Sequence, residues 1–275
     1  MTISMEPSIT APEFDRLRKL AYSHFGLDLR PGKETLVESR LRKRLAQLGC
    51  RKFGEYLDHV SKDSTGSELG LMIDALTTNF TSFLREPAHF EFLEKTILPA
   101  LQKRQEVQLW CAGCATGEEP YSVLFSVCEH APGKKVKILA TDISTKALAV
   151  ASQGVYAEDK ISSLPVSWRA RYLQKGDGQW SGHFRVKPSY RAAIEFRRVN
   201  LMESFDKLPR VPLIFCRNVM IYFDRPTQSD LVKRFAERLE PGGYLLIGHS
   251  EGLFSTQGAL EYVRPATYRK PGTLA

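Results

Sequence analysis

No run of about 18 consecutive apolar residues occurs in the 275-residue chain, so no segment reads as a membrane-spanning helix. The opening MTISMEPSIT has neither the basic head nor the apolar core of a signal peptide. Cysteine is scarce: Cys50, Cys111, Cys114, Cys128 and Cys216 make an odd five at irregular spacing, which does not form a disulfide framework. A reducing cytoplasm is the expected home. There is no internal repeat or low-complexity tract. Acid is in deficit, with a net charge of +8. Residues 30–52 carry eight Lys/Arg against Glu34 and Glu38, and residues 160–198 carry nine against Asp177 and Glu195. Such patches suit solvated faces, nucleic acid, membrane surfaces or acidic proteins.

From Ala11 to Thr78 the pattern is helical. Phe14, Leu17, Leu20, Ala21 and Phe25 fall on one face. Leu36, Leu41, Leu45 and Leu48 form the expected buried stripe of a second helix, with Arg40, Lys43 and Arg44 on its other face and Gly49 as its stop. After Val107 the texture changes. The short apolar runs VQLWC, VKILATD, AAIEFRRVN, VPLIFC and GGYLLIGHS are separated by loop and helix patterns. That alternation implies a mostly parallel, doubly wound α/β sheet covered on both faces. The expected division is a helical domain over residues 1–78 and an α/β domain over 79–275. A small β-insertion is expected at 160–192, where KGDGQWSGHF suits a hairpin.

The stretch LWCAGCATGEEPYS (109–122) starts on a strand and ends on a helix, with Pro120 suited to the first helical turn. Gly113 and Gly117 therefore lie in a strand-to-helix loop, where backbone is expected to approach a ligand closely. Glu118 and Glu119 put negative charge at the helix N-terminus, which disfavours a pyrophosphate and favours hydroxyls or positive charge. The next strand ends in Asp142, placed to accept hydrogen bonds from ribose hydroxyls. Together these elements resemble the S-adenosylmethionine site of a class I methyltransferase. The C-x-x-C of Cys111 and Cys114 lacks the second pair or neighbouring His that zinc needs, so it reads as packing and no metal is expected.

Three stretches in order, TTNFTSFLREPAHF (77–90), AGCATGEEPYS and FCRNVMIYFD (215–224), resemble the CheR family of chemotaxis receptor methyltransferases. The resemblance runs from about residue 11 to 270. It implies a Rossmann-like methyltransferase sheet with an all-helical N-terminal domain and a β-subdomain insertion. It implies an enzyme that uses S-adenosylmethionine to esterify glutamate side chains of receptors, leaving S-adenosylhomocysteine. Cofactor contacts are implied from Asn79, Thr81, Arg85, Glu118, Asp142, Asn200, Leu201, Arg217 and Asn218, the choice between Glu118 and Glu119 being open. Arg85 and Tyr222 match the positions beside the reactive methyl group. Leu84 departs from the pattern, which often has an aromatic there. Read on their own, Asn79 and Thr81 rather suit caps of a helix starting near Arg85, and His89 and His249 read as structural.

A glutamate carboxylate is already ionised at neutral pH, so the reaction needs no general base. The receptor's cytoplasmic helical hairpin is the expected partner of Arg40, Lys43 and Arg44. The loop glycines Gly176, Gly178 and Gly182, with Trp180, Arg185, Lys187 and Arg191, resemble the part that docks a receptor's C-terminal peptide in tethering members, with HFRVK as an edge strand. The expectation is a monomer, recruited to membrane receptor arrays but not inserted, that binds no nucleic acid. The rivals are a nucleic-acid methyltransferase and a non-catalytic, cofactor-sensing scaffold. CRNVMIYF is not a base-stacking motif of the N-P-P-Y type, which disfavours the first.

Overall fold

The computed structural model describes residues 7–253 and 258–274. The chain forms two compact units, residues 1–78 with 222–224, and residues 79–221 with 225–275.

The first unit holds α1 (Ala11–Phe25), α2 (Glu34–Gln47), α3 (Phe53–Lys62) and α4 (Ser67–Leu76). Thr10 and Glu13 form a capping box that starts α1, and Gly26 ends it in the left-handed region. Such a cap is worth about 1 kcal/mol. Tyr22 donates to Asp224 at 2.9 Å and the Asp28 N–H donates to the Tyr222 carbonyl at 2.8 Å, so residues 222–224 belong here. The buried stripe of α2 is Val37, Leu41 and Leu45. Leu36, expected in that stripe, is exposed, because Val37 has the 4-residue spacing to Leu41 and Leu45.

The basic face expected on α2 is largely consumed inside this unit. Arg40 donates to the Leu76 carbonyl and to Thr78 Oγ1, the latter at 2.6 Å. Arg44 is paired with Glu68, Nε to Oε1 at 3.0 Å, and Tyr56 donates to the same oxygen at 3.0 Å. Burial beside that carboxylate raises the Tyr56 hydroxyl well above its ordinary range. Of the expected trio only Lys43 is exposed. A helical wheel shows which face a residue occupies, but α4 packs against part of that face.

The second unit opens with α5 (Pro87–Phe92), a π turn over Leu93–Ile97 and α6 (Leu98–Ala100). Alternation follows: β1 (Glu106–Ala112), α7 (Glu118–His130), β2 (Lys135–Asp142) and α8 (Thr145–Gln153). An excursion holds β3 (Val155–Ala157), α9 (Val166–Tyr172), β4 (Leu173–Lys175), β5 (His183–Val186) and α10 (Pro188–Arg191). The chain then runs through β6 (Ile194–Arg198), β7 (Val211–Cys216), α11 (Arg225–Arg238), β8 (Leu239–Ile247), β9 (Glu261–Arg264) and β10 (Thr267–Arg269).

The main sheet has the order β6-β2-β1-β7-β8-β10-β9, with its first five strands parallel and its last two antiparallel. All five strands anticipated from apolar runs are present. The helical faces close around a core in which Phe125 stacks on Tyr172 at 4.4 Å. The excursion starts at Val155, ahead of the expected residue 160, and its sheet has the order β3-β5-β4. HFRVK therefore lies on the central strand, paired on both sides, and the free edges belong to β3 and β4.

Candidate functional site

The chain lays β2 and β6 on one side of β1, and β7 and β8 on the other. The order reverses between β1 and β7, and in such sheets ligands bind off the carboxyl ends at that switch point. The ends of β1, β2, β6 and β7 and the segments that follow them carry most of the expected site.

Asp142 closes β2 and is buried. Its Oδ2 accepts from the Ala115 N–H at 2.8 Å and its Oδ1 from the Ser144 N–H at 2.9 Å. The Gly113 and Cys114 N–H groups both reach the Thr141 carbonyl, at 2.7 and 2.9 Å. The β1 loop is thus sewn along the end of β2. Its glycines have a reason within the protein itself. A Cβ on Gly113 would lie 2.3 Å from Val219, and one on Gly117 would lie 2.8 Å from the Tyr156 hydroxyl. Both also have positive φ. Neighbouring side chains and a left-handed backbone therefore already require glycine at these positions.

Glu118 and Glu119 are both buried at the start of α7. Glu118 accepts from Thr116 Oγ1 at 2.6 Å, and burial raises its carboxyl above the ordinary range. Glu119 accepts from Arg217 Nη1 at 3.2 Å, while its Oε1 is buried with no partner among the described residues. Burial pushes its carboxyl up to about 7 despite the guanidinium. The thiols of Cys111 and Cys114 are buried and pushed upward, the reverse of what a nucleophile or metal ligand requires.

Residues 79–86 form a loop, with α5 starting at Pro87. Asn79 and Thr81 cap nothing: the α5 N-cap is Glu86, without a side-chain cap bond. Asn79 instead donates to Ser144 Oγ at 3.4 Å, beside Asp142. Leu84 and Glu86 have φ of 52° and 57°. Non-glycine residues there cost on the order of 1–3 kcal/mol each. Offsetting bonds are present, Leu84 N–H to Ser122 Oγ at 2.9 Å and Arg217 Nη2 to Glu86 Oε2 at 3.1 Å. Arg85 as a whole is half-buried, its guanidinium lying 5.8 Å over the exposed Phe80 ring.

Arg217 was expected to touch the cofactor, but its side chain is 1% exposed and divides itself between Glu86, Glu119 and the Arg85 carbonyl. Asn218 has φ 59°, and its N–H donates to Glu251 at 2.8 Å. Glu251, which the sequence reading missed, also accepts from the N–H groups of Gly248 and Ile221, at 2.6 and 3.2 Å. An acid immediately following GHS, just after a strand, was the available signal. Asn200 forms an Asx turn onto Met202 N at 3.0 Å, and Leu201 is buried. Tyr222 lies in the helical unit, its hydroxyl 3.4 Å from the Thr78 carbonyl.

His89 is 1% exposed, its ring nitrogens have no hydrogen-bond partner among the described residues, and burial holds it neutral, its pKa lowered to about 3. With Glu86 and His249 it places ligand-type atoms within 4.8 Å of one another. Glu86 Oε2 is already taken by the permanently charged Arg217, which disfavours a cation there.

In the excursion, a cleft of about 500 Å³ is lined by residues including Gln174, Lys175, Trp180, His183 and Arg185. Lys187 donates to the carbonyls of Ala170 and Arg171, and Arg191 to those of Ser152 and Gln153, so both are spent on helix ends. Gly178 and Gly182 supply positive φ with open space around them, whereas a Cβ on Gly176 would strike the Trp180 carbonyl at 2.4 Å.

The donor set fits S-adenosylmethionine. Asp142 suits ribose hydroxyls, the acids at the start of α7 suit an ammonium or sulfonium, and the filled glycine loop with its carboxylates repels phosphate.

Two sequence families match the chain. The CheR methyltransferase SAM-binding domain covers residues 79–269, and the CheR all-alpha domain covers residues 12–77. A chemotaxis protein methyltransferase of Borreliella burgdorferi is 41% identical over 274 residues, covering 96% of this chain and 95% of that protein. Chemotaxis protein methyltransferase 2 of Pseudomonas aeruginosa is 38% identical, covering 94% and 93%. The chemotaxis protein methyltransferase of Salmonella typhimurium is 37% identical, covering 93% and 91%.

Proposed function

The chain belongs to the CheR methyltransferase family, and from that premise we propose that it methylates glutamate side chains of chemotaxis receptors. It is an S-adenosylmethionine-dependent methyltransferase of chemotactic adaptation. The observation that carries the finer reading is the acid-lined end of β1 and β2, with Arg85 on the neighbouring loop of the same unit.

S-adenosylmethionine supplies an activated methyl group on a sulfonium, which passes to a carboxylate oxygen and leaves a neutral ester and a neutral thioether. No proton moves, so the protein's task is alignment and a partly dry site. Asp142 would hold the ribose and Glu118 the cationic end, with Asn79, Thr81, Asn200, Leu201 and Asn218 completing the contacts. Arg85 would orient the acceptor carboxylate, its planar guanidinium matching a planar carboxylate. Arg217 would act by holding the Arg85 carbonyl, to which it donates.

The receptor's helical hairpin would meet the helical unit at Lys43. A receptor C-terminal peptide with an aromatic residue and acids would add along the free β4 edge, beside Lys175, Trp180 and Arg185. Among the described residues no helix is long and apolar enough to cross a membrane. Receptor binding would bring the enzyme to the arrays. Incubation with methyl-labelled S-adenosylmethionine and receptor-containing membranes should give label released by mild base. Label on RNA would favour a nucleic-acid enzyme, and cofactor binding with no transfer would favour a scaffold.

A further inference from the structure

Glu86 lies outside the residues that the family resemblance marks for cofactor or substrate. Its backbone is in the left-handed region, and its side chain caps no helix. Its carboxylate is instead a meeting point for two other loops. Arg217, after β7, donates to Oε2 from Nε at 3.4 Å and from Nη2 at 3.1 Å. The Asn218 side-chain amide reaches Oε1 at 3.5 Å, and the His249 N–H, after β8, reaches it at 3.3 Å. Attraction to Arg217 holds the carboxyl below its ordinary range, against the effect of burial.

The same Arg217 Nη2 donates to the carbonyl of Arg85. One buried guanidinium thus grips both the Arg85 carbonyl and the next residue's carboxylate. The Arg85 side chain has a single hydrogen bond among the described residues, to the Phe80 carbonyl at 3.2 Å. The Arg85 backbone is tied to Arg217, and Arg217 in turn to Glu86, so the Glu86–Arg217 pair helps to set where the Arg85 side chain starts.

We infer that Glu86 is a positioning residue for methyl transfer, acting through Arg85. The inference rests on the reading of Arg85 as the group that orients the acceptor. With a neutral amide at 86, Arg217 keeps only Glu119 as a buried counter-charge, and the strained turn at 84–86 can relax. A misplacement of about 1 Å near reacting atoms can cost about a hundredfold in rate.

The test is a double-mutant cycle on the full-length enzyme, using labelled S-adenosylmethionine and receptor-containing membranes, with Glu86→Gln in the wild type and in an Arg85→Lys background. Glu86→Gln alone should lower kcat about tenfold or more, with KM for the cofactor within about threefold. In the Arg85→Lys background the same change should cost less than about threefold, because the fork it aims is already gone. An equal cost in both backgrounds overturns the inference, as does an unaffected single variant, since a merely structural role is blind to residue 85. A wild type that transfers no methyl group defeats the functional reading instead. If Glu86→Gln fails to fold by circular dichroism, Glu86→Asp carries the same cycle with the same criteria.

Discussion

Asp142 Oδ2 accepts a hydrogen bond from the Ala115 N–H at 2.8 Å, so the acid expected to hold ribose also braces the loop that shapes the pocket. Asp142→Ala should therefore weaken cofactor binding and also destabilise the fold, by about 1–3 kcal/mol for the orphaned N–H groups. Asp142→Asn keeps one acceptor oxygen and should show the smaller loss of stability. Calorimetry with S-adenosylhomocysteine and thermal melts of both variants check this. Wild-type affinity in Asp142→Ala would remove the ribose role.

The basic face of α2 separates into two behaviours. Arg44→Glu sets a carboxylate against Glu68, whose side chain is 6% exposed, and should cost about 2–4 kcal/mol in urea denaturation. Lys43→Glu should leave the melt unchanged and reduce receptor methylation at low salt, the difference fading as screening rises. If Lys43→Glu methylates receptors normally at low salt, the docking role fails.

Cys111 and Cys114 should be silent in chemistry. Both are buried with thiols pushed upward, so alkylation of the native protein should be limited by unfolding, while the partly exposed Cys50 and Cys128 react first. The double Ser variant should keep most of its turnover. A folded, cofactor-binding double variant without turnover would restore a thiol role.

Glu119 and His89 should leave opposite marks on stability against pH. Glu119 has a folded pKa raised to about 7, so its contribution is full below the unfolded value near 4.5 and is lost as pH rises towards 7. His89 is depressed to about 3 from 6.5, so its contribution is full above 6.5 and is lost as pH falls. Between 4.5 and 6.5 the two slopes oppose each other. Relative to wild type, Glu119→Gln should gain stability as pH rises from 5 to 7.5, measured by urea melts at each pH. A pH-independent difference would place Glu119 outside that titration.

The inserted sheet should take a receptor C-terminal peptide through Trp180 and Arg185. Trp180→Ala or Arg185→Glu should weaken peptide binding about tenfold or more in fluorescence titrations, with cofactor binding intact. Lys187→Ala should instead lower thermal stability, since its ammonium caps the carbonyls of Ala170 and Arg171. Wild-type binding by both cleft variants would leave the insertion as a flap on the sheet.

The strands β1, β2, β6, β7 and β8 were legible because a parallel strand covered on both faces must be an apolar run, as in VPLIFC, where every residue is buried. The antiparallel strands β9 and β10 were not, because Glu261, Tyr262 and Val263 on the sheet's edge are exposed and carry no such run. The motif order marked the family, and spacing alone brought Asp142 to the strand end. Sequence also placed Arg40, Arg44, Lys187 and Arg191 among the cations. It could not tell that each is spent on a carbonyl or a buried carboxylate, because that depends on which element packs against it. Glu86 and Glu251 show the same limit from the acid side. A lone carboxylate in a loop has no periodicity to announce it, and most of its partners, at 217–221 for both acids and at 249 for Glu86, come from distant parts of the chain. Burial patterns are written locally in the sequence, since the residues on one face of a strand or helix meet the same core. Polar partnerships between loops are made by the fold, and only the tertiary structure decided which charges face solvent and which hold the site together.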